Sequence, residues 1–83
     1  MSVNYLGTVV CGSADLQTST ADAEILDGKY VNFQLYNDGD CHIKVNDGAY
    51  IFIRALQGIA IDYANSVKIE EDGKTFNWIG VKA

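Results

Sequence analysis

Proline is absent from all 83 residues. Proline is a common device for blocking edge-to-edge pairing of β-strands. A β protein without it leaves its sheet edges free to pair between subunits. Histidine occurs once and cysteine twice, far apart, so no zinc site within one chain is expected from these donors. Cys11 and Cys41 allow one bridge, but nothing else points to an oxidising compartment. Buried thiols that act as small hydrophobes are expected instead. Positive charge is scarce too. Six basic residues face 11 acidic ones, the net charge is −5, and no Lys/Arg cluster occurs. Nucleic-acid binding needs cations to replace counterions at phosphates, so no nucleic acid is expected as a partner. No apolar run approaches the roughly 18 residues of a spanning helix, so no membrane span is expected. The start, Met1 to Tyr5, lacks the basic and apolar regions of a signal peptide.

Turns are plentiful. Asp27-Gly28, Asp38-Gly39, Asp47-Gly48 and Asp72-Gly73 are four Asp-Gly pairs. This pair suits type I′ hairpin turns, whose two central residues need positive φ. Weaker breaks at Gln57-Gly58 and Ala64-Asn65 bring the spacing to one break every 7 to 11 residues. Between the breaks lie short runs rich in Val, Ile, Tyr and Phe. This pattern predicts one all-β domain over residues 1–83: a small antiparallel β-sandwich or jelly-roll-like barrel of about seven to eight short strands joined by Asp-Gly hairpins.

A first strand is expected over residues 5–12, a loop over 13–20, and a short strand within 21–26. Residues 29–36 alternate clearly, with Val31, Phe33 and Leu35 on one face and Tyr30, Asn32, Gln34 and Tyr36 on the other. Cys41, Ile43 and Val45 alternate with His42 and Lys44, which suggests a hairpin across Asp38-Gly39. The expected core is Val31, Phe33, Leu35, Ile43, Val45 and Ile53. Along residues 49–56 both faces are apolar, with Ile51 and Ile53 opposite Tyr50 and Phe52, so both faces need a cover. In the last strand Phe76 and Trp78 share a face, opposite Asn77, Ile79 and Val81.

Chemistry is hard to find. Cys41 and His42 are neighbours on a strand, so their side chains point to opposite faces and cannot act as a pair. An EF-hand needs an oxygen donor five residues before its Gly, yet Ala23, Ile43 and Lys68 stand there before Gly28, Gly48 and Gly73. Glu70, Glu71 and Asp72 read as a solvated turn. No catalytic residue, cofactor or metal is expected, and the chain reads as a non-enzyme.

Binding and assembly remain. Nine aromatics in so short a chain suit a stacking platform or a subunit interface. Tyr30, Tyr36, Tyr50, Phe52 and Trp78 are the candidates. With 48% hydrophobic residues, a domain this small carries more apolar surface than a monomer hides.

Three stretches carry a family likeness: residues 33–39 (Phe-Gln-Leu-Tyr-Asn-Asp-Gly), residues 51–58 (Ile-Phe-Ile-Arg-Ala-Leu-Gln-Gly), and residues 72–80 (Asp-Gly-Lys-Thr-Phe-Asn-Trp-Ile-Gly). Over roughly residues 31–80 the chain resembles the small all-β structural proteins of tailed bacteriophages, which decorate heads or form the bases of fibres. The resemblance implies a virion component assembled in the host cytoplasm. It also implies a homo-oligomer, commonly a trimer, whose partner is a major virion lattice protein. The alternative is a small carbohydrate-binding, lectin-like module that stacks sugars on exposed aromatics.

Overall fold

In the computed structural model, which describes residues 9–83, every regular element is a strand. They are β1 (Val10–Gly12), β2 (Gln17–Thr18), β3 (Ala23–Glu24), β4 (Tyr30–Asn37), β5 (Cys41–Val45), β6 (Ile51–Ile53), β7 (Ile59–Ala64), β8 (Val67–Ile69) and β9 (Thr75–Lys82). Of the first expected strand, residues 5–8 lie outside the described residues. Two antiparallel sheets form, ordered β1-β9-β4-β7 and β3-β8-β5-β6. They share one core and do not close into a barrel, so the small antiparallel sandwich is what forms. β1 and β2 are two pieces of one edge, since both pair with β9. Between them Ser13 holds β9 with its backbone N–H on the Trp78 carbonyl and its hydroxyl under the Trp78 N–H.

The pairings are nested. β5 pairs with β6, β4 with β7, β3 with β8, and β1 and β2 with β9. The chain is therefore one long hairpin, rolled so that both limbs pass together from sheet to sheet. This is jelly-roll order. Register survives the first corner: Cys41↔Ile53 is followed by Leu35↔Ile59, so each limb crosses in five residues, 36–40 and 54–58.

This topology corrects the reading of the Asp-Gly pairs. Only Asp47-Gly48 belongs to a hairpin tip, joining β5 to β6. Asp27-Gly28, Asp38-Gly39 and Asp72-Gly73 lie at corners where the chain changes sheets, so β4 and β5 are not paired. Even at the tip the left-handed residues are Asn46 (φ 52) and Asp47 (φ 63), closed by the Gly48 N–H on the Val45 carbonyl. The type I′ pair thus sits one residue earlier than expected.

Two buried polar side chains lock the corners. Asn37 donates through Nδ2 to the carbonyls of Gly39 and Arg54 at 2.9 and 2.8 Å, and its Oδ1 accepts the Gly58 N–H at 2.9 Å. Gly58 has φ +68, and a Cβ there would stand 2.9 Å from the Leu35 carbonyl oxygen, so this corner requires glycine. Ser19 ties the corner between β8 and β9. Its hydroxyl donates to the Glu71 carbonyl at 2.7 Å and accepts the Lys74 N–H at 2.9 Å.

Phe33, Leu35, Ile43 and Ile53 are buried as expected. Val31 and Val45 are only half-buried. Val31 fails for a specific reason. β4 gains one residue relative to β9 between Val31 and Gln34, and Asn32 turns left-handed there (φ 50). A bulge reverses the parity of every residue beyond it. Tyr30 therefore points inward instead of Val31, and is 2% exposed.

Candidate functional site

The five aromatics proposed for an interface do not converge on one patch. Tyr30 and Trp78 belong to the core side of the first sheet. Trp78 packs edge-on to Tyr30 at 5.1 Å and against Phe33 at 5.6 Å. The Tyr30 hydroxyl donates to the Asp27 carboxylate, and this bond, with burial, pushes the phenol up to about 12. Tyr36 is exposed and faces away from its buried neighbours Leu35 and Asn37.

Tyr50 and Phe52 lie on the outer side of the second sheet. Tyr50 is half-buried, has the Lys44 ammonium 4.8 Å from its ring centre, and donates to the Asp22 carboxylate. That bond raises the phenol to about 12 and holds Asp22 below its usual range. Phe52 is 53% exposed, with its ring edge-on to that of His42 at 5.5 Å between centres.

The neighbour of Phe52 is as bare. Ile51 faces the other way and is 57% exposed. β6 is an edge strand of its sheet. Each of its two faces therefore carries one bare apolar side chain within a single chain. Ile51 stands at the mouth of a slit of about 300 Å³ between β6 and the other sheet's edge strand β7, lined chiefly by Ile43, Ile53, Ile59 and Ile61. Leu56, at the corner beside the slit, is 76% exposed. The slit was not expected from the sequence. A slit needs two sheet edges brought side by side, and no local signal specifies that.

The outer face of the second sheet holds a further group that was not expected. His42 is paired across the sheet with Phe52 and lies beside Glu70 and Glu71 of the corner after β8. Its Nδ1 is 2.5 Å from Glu71 Oε2 and 3.7 Å from Glu70 Oε1. The His42 backbone N–H also donates to Glu71 Oε1 at 2.9 Å. Burial pushes the Glu71 carboxyl up, but the two hydrogen bonds from His42 outweigh it and leave Glu71 below its usual range. Glu71 is therefore only in part the solvated tip expected of it. It lies 29 residues from His42 along the chain, beyond any sequence window.

The cysteines are both free. Cys41 is buried, and burial raises its thiol pKa, which suits an inert hydrophobe. His42, next to it, points outward, so the two form no catalytic pair. Among the described residues no helix is long and apolar enough to cross a membrane. No family model matches the chain, and no characterised protein or solved structure matches it either.

Proposed function

We propose that this chain is a non-catalytic assembly module: a homo-oligomeric virion structural protein, trimeric by preference, that decorates or cements a capsid or tail lattice. The observation that carries the proposal is β6, an edge strand with Ile51 and Phe52 exposed on opposite faces. A second subunit is the economical cover for both. Jelly-roll order supports the reading because virion proteins use it widely, although lectins use it too. The family likeness of residues 31–80 supports the virion over the lectin. The lectin reading needs a solvent-facing aromatic platform, and two of its five members, Tyr30 and Trp78, pack with the core.

The mechanism is burial of area. Each copy covers a seam of the lattice, and apolar contact contributes roughly 25 cal/mol per Å² before the cost of association. Three-fold closure suits the local three-fold points of an icosahedral lattice, and three attachments multiply weak contacts. Analytical ultracentrifugation tests this. The wild type should sediment as an oligomer at micromolar concentration. Phe52→Asp should sediment as a folded monomer, because it buries an unpaired charge in the contact. A monomeric wild type that binds glycans would overturn the proposal in favour of the lectin. A Phe52→Asp variant of full oligomer mass would place the interface elsewhere.

A further inference from the structure

We propose that His42, Glu70 and Glu71 form a binding site for a divalent transition-metal ion of the zinc class. One nitrogen and two carboxylate oxygens, one from each residue, lie within 4.8 Å of one another. Imidazole nitrogen with carboxylate oxygen is a donor set that suits Zn²⁺ and Ni²⁺ better than Ca²⁺. Three protein donors leave one position of a tetrahedral ion for water.

A simple ion pair explains only part of the arrangement. Glu71 Oε2 lies 2.5 Å from Nδ1, within hydrogen-bond distance. Glu70 Oε1 at 3.7 Å is too far for a hydrogen bond, yet it points at the same nitrogen. A second carboxylate there adds repulsion to a chain already at −5. A cation among them would draw on all three groups.

The donors are also held in place. Glu71 is fixed at its backbone by the Ser19 hydroxyl on its carbonyl and at its side chain by the His42 N–H. The Glu70 N–H donates to the His42 carbonyl at 2.9 Å, which sets the two residues side by side. The Phe52 ring stands edge-on to the imidazole, 5.5 Å between centres. Ligands about 2.1 Å from a tetrahedral ion stand about 3.4 Å apart. Binding therefore asks Nδ1 and Glu71 Oε2 to part by less than about an ångström, which side-chain rotation supplies. The bound ion would join β5 to the corner between β8 and β9.

Isothermal titration calorimetry with ZnCl₂, NiCl₂ and CaCl₂ tests the site on the full chain. One Zn²⁺ should bind per chain, with Ca²⁺ weaker. His42→Gln and Glu70→Gln should each weaken Zn²⁺ by roughly tenfold or more. Cys11→Ser should leave binding unchanged. If the variants fail to fold, the wild type still decides the matter. Paramagnetic broadening of its amide signals by Ni²⁺ should centre on His42, Phe52, Glu70 and Glu71. Broadening centred away from these residues, undiminished Zn²⁺ binding by folded His42→Gln, or no binding of Zn²⁺ or Ni²⁺ by the wild type would each overturn the site.

Discussion

The sandwich opens on two opposite sides, and they differ in what lines them. Between β2 and β3 lies a groove of about 210 Å³ rimmed by Gln17, Thr18, Ser19, Thr20 and Glu24, with Phe76 and Ile69 at its floor. Between β6 and β7 lies the slit of about 300 Å³ walled by isoleucines. Both lie where an edge strand of one sheet faces an edge strand of the other. Water can satisfy the first rim, where Gln17, Thr18 and Thr20 are exposed. Water gains nothing from the second, whose walls lose dispersion contacts as long as it stays open. One side is finished by solvent, whereas the other asks for an apolar partner.

Substitutions on the two sides should separate them. Ile53→Ala removes a buried wall of the slit and should cost about 2–5 kcal/mol. Thr18→Ala on the polar rim should stay within about 0.5 kcal/mol, as exposed substitutions do. Urea midpoints at unchanged m-value measure both. Equal losses would break the distinction between the sides.

The corner locks come next. Asn37, beside the slit, satisfies two carbonyls and one N–H. Asn37→Ala leaves those part-buried groups without partners and should cost about 2–3 kcal/mol. Ser19, beside the polar groove, serves one carbonyl and one N–H. Its corner also keeps the bonds from the Ser19 N–H to the Lys74 carbonyl and from the Gly73 N–H to the Ser19 carbonyl. Ser19→Ala should therefore cost less, about 1–2 kcal/mol. A larger loss at Ser19 than at Asn37 would reverse the ranking.

The smallest effect is acid dependence at the polar side. Burial pushes the Glu24 carboxyl up, but the Ser66 hydroxyl and the N–H groups of Val67 and Leu26 outweigh it and hold it below 4.5. A carboxyl lowered in the folded state contributes stability that is complete above its unfolded value. That contribution fades as pH falls through the folded value. Glu24→Gln should thus be less stable than wild type at pH 7, with the gap narrowing below about pH 4.5. Chemical denaturation across that range measures it. A gap that is constant with pH would show that Glu24 acts through its shape alone.

Strand positions were legible because alternation is a local signal. Phe33, Leu35, Ile43 and Ile53 are buried, and Phe76 with Trp78 takes the inner face of β9. The same logic failed at Val31, where one extra residue against β9 reversed the parity and drew Tyr30 into the core. A bulge is set by the partner strand, and its partner here lies some fifty residues along the chain. The candidate site was legible in part. Opposed Ile51 and Phe52 marked β6 as apolar on both faces, and both are exposed. The slit and the meeting of His42 with Glu71 were not legible.

Taken alone, the amino-acid order determined that this chain makes short strands and breaks them often, because turn residues and two-residue periodicity act over a few bonds. It did not determine where each strand goes after a break. Asp38-Gly39 and Asp47-Gly48 look alike, yet one changes sheets and the other closes the hairpin tip. The difference lies in which distant strand completes the hydrogen bonds on the far side of the turn. β4 finds β7 and β9, while β5 finds β6 and β8. Tertiary pairing chose those partners because every buried N–H and carbonyl must be satisfied at once, a condition on the whole chain and not on any segment of it.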